Sequence, residues 1–211
     1  MEGERVKIAV SPAIQVGGSL FTPEQFALIG SLADGGASIE MTPFGQLYVE
    51  TAAERLDDIR SALQRAGLQV LPAGFAAKGL IACNFCKGAE DAGLEIAREL
   101  NRRIAGLATP TPVKVGYAGC ALGTSEPLLK DIGVVKMRDT FDIYVGGEPK
   151  GLKASLAQPL VSGIEAERVA SAVRAIIDYY TANAKGKEKF RKFVDRVSLD
   201  AIREKVREVF Q

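Results

Sequence analysis

Residues Thr22-Pro23-Glu24-Gln25 spell the start of a helix. Threonine is a good N-cap, proline suits the first helical position, and Gln25 can reach back to close a capping box. Phe26, Ile29 and Ala33 then fall on one helix face. Upstream, residues 6–10 read as a short apolar strand. Downstream, residues 38–50 (SIEMTPFGQLYVE) read as two short strands broken at Pro43-Phe44-Gly45. Thr51 with Glu54 repeats the capping-box signature, Leu56, Ile59 and Leu63 mark the buried stripe of a second helix, and Gly67 ends it. The order β-α-β-β-α predicts a small α+β unit over residues 1–70.

After Leu71-Pro72 the character changes. The stretch AGFAAKGLIACNFCKGAEDAG is rich in glycine and alanine and carries Cys83 and Cys86. A helix follows, with Ala92, Ile96, Leu100 and Ile104 on one side and charges on the other. Prolines then lead into a strand, Lys114 to Ala118, that stops at Gly119-Cys120. A polar loop, ALGTSEPLLKD, leads to a strand around Val134 to Met137, and TFDIYVGGEP reads as another. Ser162 with Glu165 gives a third capping box, opening a helix that bears Val169, Val173, Ile176, Ile177 and Tyr180. These residues, 71–184, form a second α+β domain. Residues 185–211 are charged, with Phe190, Phe193, Val194 and Val197 at helical spacing, and are expected as a helical arm packed on a core or a partner.

The chain has 211 residues, 47% of them hydrophobic, which suffices for one good core or two small ones. Its net charge of +1 gives no global pull toward nucleic acid or a membrane surface. No apolar run approaches the ~20 residues of a spanning helix, and the first residues lack the basic and apolar regions of a signal peptide. A cytoplasmic location is therefore expected, and three cysteines suit a reducing compartment better than a disulfide framework. Histidine is absent. That removes Ser-His-Asp and Cys-His catalysis and every imidazole ligand, so any metal chemistry must rest on sulfur or carboxylate.

Cys83 and Cys86 admit several readings. A redox dithiol wants the pair after a buried strand at a helix N-terminus, and it leaves Cys120 without a role. A structural zinc site needs four ligands, so a carboxylate would have to join the three cysteines. Buried cysteines are also ordinary small hydrophobes. An iron–sulfur cluster wants thiolates in a dry pocket with backbone N–H groups aimed at sulfur. Three cysteines in two loops of small residues suit that, and a helix beginning near Cys86 would favour its thiolate. Three thiolates leave one iron of a cubane in need of another ligand.

Nearly the whole chain resembles one family, the nitrite and sulfite reductases that hold sirohaem beside a [4Fe–4S] cluster. GGSLFTPEQFALIGSLADGG, SIEMTPFGQLYVE and LDDIRSALQRAGL are similar to the family's ferredoxin-like half-domain. CNFCKGAEDAGLEIARELNRRI resembles the segment with its first cysteine pair. PVKVGYAGCALGTSEPLLKDIGVVKMRDTFDIYVGGEPKG resembles the second, with Asp131-Ile132-Gly133 and Gly146-Gly147 matching well. The resemblance implies a ferredoxin-like half-domain followed by an α+β nitrite/sulfite reductase 4Fe-4S domain, in the single-repeat form. A homodimer copying the pseudo-two-fold of larger members is expected.

The departures fall on the site. The family's first cysteines stand five residues apart, whereas two residues separate Cys83 from Cys86. Thr124 occupies the place of the cysteine that bridges cluster and sirohaem, and threonine is a hard ligand for such iron. Thr42-Pro43-Phe44-Gly45 replaces a strand whose arginine faces the tetrapyrrole or substrate. Lys114 matches a lysine that helps bind the anionic substrate. Lys78, Lys87, Lys114 and Lys130 are available to meet a sirohaem's carboxylates. The resemblance thus implies Cys83, Cys86 and Cys120 on a [4Fe–4S] cluster, Thr124 or a small outside ligand at the fourth place, Lys114 on sulfite or nitrite, and an unidentified electron donor. The alternative is a non-catalytic relative that keeps the fold for electron transfer, tetrapyrrole binding or subunit pairing.

Overall fold

A computed structural model describes residues 4–33, 38–152 and 154–210. The chain packs as two compact units, one of Met1–Ile14 with Ser19–Gly74 and the other of Gln15–Gly18 with Phe75–Gln211. Helices and strands are mixed in both, as an α+β fold requires.

The first unit runs β1 (Arg5–Pro12), α1 (Pro23–Leu32), β2 (Ile39–Met41), β3 (Leu47–Ala52), α2 (Leu56–Arg65) and β4 (Leu68–Pro72). Its antiparallel sheet has the order β2-β3-β1-β4. Ile8, Val10, Ile29, Leu47, Val49, Ile59, Leu63 and Leu68 make its core. The capping box at α1 is complete. The Gln25 amide donates to Thr22 Oγ1 at 3.2 Å, and the Thr22 amide donates to Gln25 Oε1 at 3.0 Å. Gln25 Nε2 also donates to the Ala66 carbonyl at 2.8 Å, which ties the start of α1 to the end of α2.

The second box, at Thr51 and Glu54, does not form. β3 alternates inward and half-covered residues, and that alternation claims Thr51 for the sheet, opposite Val6. Its buried Oγ1 has no partner. A 3-10 turn, Ala53–Arg55, intervenes, and α2 starts with no side-chain cap. Nor does the sequence pattern foresee β4. Leu71-Pro72 resembles a break, but a proline is tolerated at the end of an edge strand, and β4 pairs with β1.

The second unit comprises β5 (Ile81–Ala82), α3 (Leu94–Ile104), β6 (Val115–Ala118), β7 (Ile132–Met137), β8 (Thr140–Val145), β9 (Gln158–Ile164), α4 (Ala166–Asn183), α5 (Phe190–Val197) and α6 (Leu199–Glu208). The sheet order is β5-β6-β7-β8-β9. β5, β6 and β7 are parallel, and β8 and β9 continue antiparallel. Val169, Val173, Ile176, Ile177 and Tyr180 are buried on α4, as their spacing predicts. The third capping box is also displaced: Ser162 lies inside β9, and Glu165 takes the N-cap position without a side-chain bond. The charged tail is two helices rather than one arm, broken at Ser198 (φ +76°). Tyr180 meets Phe190 and Phe193 edge-on at 5.1 Å, so the tail closes the core of this unit. No described helix is long and apolar enough to cross a membrane.

Candidate functional site

Parallel strands end on a common side, and in open sheets ligands bind beyond those carboxyl ends. Cys83 follows β5, Gly119 and Cys120 follow β6, and Arg138 follows β7. The Cys83 amide donates to the Tyr117 carbonyl at 3.0 Å. The Gly119 amide donates to Cys83 Sγ at 3.2 Å. A single N–H thus joins the two cysteine loops through sulfur. Only glycine fits at 119, because an added Cβ would stand 2.6 Å from the Ala92 carbonyl oxygen and from its Cβ.

Tyr117 holds the loop that carries Cys86. Its buried Oη donates to the carbonyls of Ala92 (2.8 Å) and Gly93 (3.0 Å), and its ring stacks on Phe85 at 5.9 Å. Burial, with the Cys83 sulfur adding to it, pushes the phenol's pKa well above its ordinary value. Phe85 adopts a left-handed backbone (φ +52°), and the Gly88 amide donates back to its carbonyl at 2.9 Å. Cys86 therefore sits exposed in a turn. α3 begins only at Leu94, so Cys86 does not head the helix. Gly88 (φ +96°) and Gly93 (φ +69°) interrupt the helical path between them.

Cys120 is half-buried and Thr124 is exposed in the turns that follow β6. The hydroxyl this loop uses belongs to its neighbour, Ser125, which donates to the Tyr117 carbonyl at 2.6 Å. Nothing in the sequence distinguishes Ser125 from Thr124 for that role. Lys114 stands at the opposite end of β6 from Cys120, six residues or about 20 Å of extended chain away. Its ammonium lies 3.5 Å from Asp131 Oδ2, and its amide donates to the same oxygen at 2.8 Å. Burial raises the Asp131 carboxyl to about 6, against the opposing pull of Lys114. Lys114, expected to help hold an oxyanion, is here paired with Asp131. Lys130 pairs with Glu126 at 3.4 Å. Lys78 is buried, which lowers its ammonium's pKa.

A cavity of about 440 Å³ opens at Cys120. Lys87, Asp91, Lys136, Met137 and Arg138 line it with Gly119, Cys120 and Ala121. Of the four lysines that could meet a tetrapyrrole's carboxylates, it is Lys87 that reaches this cavity. Lys136 and Arg138 escaped the sequence reading, although the run KMRD at a hairpin tip is a visible signal. An apolar groove of about 450 Å³, with Leu122, Leu128, Val135 and Leu156 among its residues, shares Ala121 and Met137 with the cavity.

All three cysteines are free thiols. Soft thiol donors, and an N–H directed at one sulfur, match what an iron–sulfur cluster takes. By this donor chemistry the residues fit such a group. Among the described residues no three Cys, His, Asp or Glu side chains stand close enough to hold a single metal ion. The arrangement is a set of donors on adjoining loops rather than a closed cage.

Residues 77–211 match the nitrite and sulphite reductase 4Fe-4S domain. The cobalt-factor III methyltransferase of Priestia megaterium is 30% identical over 193 residues, which cover 90% of this chain and 35% of that protein. The assimilatory-type sulfite reductase of Nitratidesulfovibrio vulgaris is 27% identical over 131 residues, covering 62% of this chain and 58% of that one. The chain thus spans about a third of the first relative and somewhat over half of the second. Among solved structures, dissimilatory sulfite reductase I superposes on 96% of the chain and 69% of its own, with a TM-score of 0.72 at 12% identity. The Mycobacterium tuberculosis NirA protein covers 94% of this chain and 39% of its own, with a TM-score of 0.63 at 20% identity. These two likenesses concern the fold.

Proposed function

The chain belongs to the nitrite and sulphite reductase 4Fe-4S domain family, and from that premise we propose that it is an iron–sulfur redox protein. Cys83, Cys86 and Cys120 would supply the thiolates of a [4Fe–4S] cluster, and Thr124 or a small outside ligand would complete it. The observation that carries this reading is the Gly119 N–H on Cys83 Sγ, because backbone N–H groups aimed at sulfur are what an iron–sulfur cluster takes from the loops around it. A bound cluster supplies single electrons. The chain's own part is to hold the loops: Tyr117 anchors residues 92 and 93, Gly119 allows their close approach, and the buried Phe85 ring packs on Tyr117. Sulfite or nitrite would be the substrate of a fully active form, fed by a separate electron donor. A reducing, cytoplasmic setting suits three free thiols, and a homodimer would bring two copies of this repeat together.

A second reading is favoured by specific residues. Lys114 is committed to Asp131, no arginine occupies Thr42–Gly45, and Thr124 offers only a hard oxygen. On this reading the chain keeps the fold for electron transfer or a tetrapyrrole-related role, without oxyanion reduction. Its likeness to a protein named as a cobalt-factor III methyltransferase supports the tetrapyrrole-related option. Iron, zinc and acid-labile sulfide analysis with a visible spectrum, on anaerobically purified and reconstituted protein, tests the shared claim. Iron with a broad brown shoulder is expected, and sharp bands toward the red would add sirohaem. One zinc per chain without iron would instead identify a structural zinc site. Thr124→Cys should raise iron occupancy if residue 124 stands at the fourth ligand place, and unchanged iron would remove it from that place.

A further inference from the structure

Many basic side chains among the described residues pair with acids. Arg98 pairs with Glu95, Arg174 with Asp178, Arg196 with Glu188, and Lys114 with Asp131. Around the cavity at Cys120 the pattern reverses. Lys87, Lys136 and Arg138 all line it, and no carboxylate among the described residues ion-pairs with any of the three. Three separate places bring them there: the turn after Cys86, the end of β7 and the β7–β8 turn. Lys136 Nζ donates to the Arg138 carbonyl at 2.6 Å, so the hairpin tip and one cation are fixed to each other. Asp91 is the one carboxylate on the lining, and the cations outnumber it. A concave space whose lining carries an excess of one sign of charge concentrates the opposite sign.

We infer that Lys87, Lys136 and Arg138 form a collar that binds an oxygen anion beside Cys120. It takes over the part that the family resemblance would give to Lys114. The anion is either a carboxylate on the rim of an organic cofactor or a free oxyanion substrate. The identity of those two sources rests on the proposed function, but the charge of the collar does not. The adjoining apolar groove, which shares Ala121 and Met137, offers apolar surface to the body of the first kind of ligand.

The test uses the full chain, with and without reconstituted iron. It is titrated at low salt with uroporphyrin, a polycarboxylate porphyrin, and separately with sodium sulfite. Lys87→Gln, Lys136→Gln and Arg138→Asn remove one charge each. Asparagine suits the left-handed backbone at 138 (φ +58°), and all three positions are exposed or half-exposed, so folding is preserved. Lys189→Gln, an exposed cation outside the cavity, is the control. Each collar variant is expected to weaken one probe about tenfold, the loss of a charge-assisted contact, while Lys189→Gln changes nothing. Loss of uroporphyrin binding assigns the collar to cofactor carboxylates, and loss of sulfite binding assigns it to a free oxyanion. Absence of binding by both probes, collar variants that bind like the parent, or an equal loss in Lys189→Gln would each overturn the proposal. Iron is measured on the same samples. Charge-dependent binding without iron leaves the collar standing and removes the cluster; iron without charge-dependent binding does the reverse.

Discussion

Gly119 is where the fewest atoms decide the most. A methyl there would press on the backbone of Ala92 from 2.6 Å, so the two loops would have to part. Gly119→Ala is expected to cost about 1–3 kcal/mol by overpacking and to lower iron retention, measured by urea denaturation and iron analysis. Full retention of both would show that the loops are not held in register at this point. Asp131 sets a different test. Its folded pKa, about 6, exceeds the ordinary carboxylate value of 3.8, so the folded state binds this proton more tightly than the unfolded chain. The contribution is therefore greatest below about pH 4, declines as pH rises through about 6, and is flat above. Two units correspond to about 3 kcal/mol. Asp131→Asn should flatten that part of the stability–pH curve while its carbonyl still accepts the Lys114 amide; an unchanged curve would contradict the assignment. At this scale the sequence names the candidate sulfurs but not their surroundings. Cys86 is near a helix in sequence, yet two glycines with positive φ put a run of turns between them. Lys114 matches the family by type, yet a buried acid seventeen residues on claims it.

Elements were legible where local rules acted alone. The α1 capping box forms with both bonds because nothing else competes for Thr22. The same signature fails at Thr51, which pairs with Val6 of β1, and at Ser162, which lies inside β9 at an irregular stretch of its pairing with β8. β4 and β9 went unforeseen for the related reason that pairing partners distant in sequence, not local periodicity, make them strands. β6 carries the next prediction. Tyr117 projects from it to satisfy two carbonyls at the end of the Cys86 loop. Tyr117→Phe keeps the ring packing against Phe85 and Phe141 but takes the donor from the buried Ala92 carbonyl, while the Gly93 carbonyl still accepts the Ala97 amide. It should lower stability by about 1–3 kcal/mol and speed amide exchange over residues 85–94. Exchange unchanged in that loop would mean that its turns stand without the strand.

On the scale of the molecule, the mixed α+β character was readable in the sequence, and the chain divides into two compact units at Gly74–Phe75, near the change of character after Pro72. The collar of Lys87, Lys136 and Arg138 was not readable, since it depends on a sheet that brings a turn and a hairpin tip to one cavity. The central claim is that this second unit holds an iron–sulfur cluster on three thiols. Iron and acid-labile sulfide per chain, measured after anaerobic reconstitution of the parent and of Cys120→Ser, test it most directly. The account predicts roughly four of each in the fully loaded parent, with marked loss in the variant. A parent that remains colourless and free of iron, or a variant that loads as well as the parent, would contradict it.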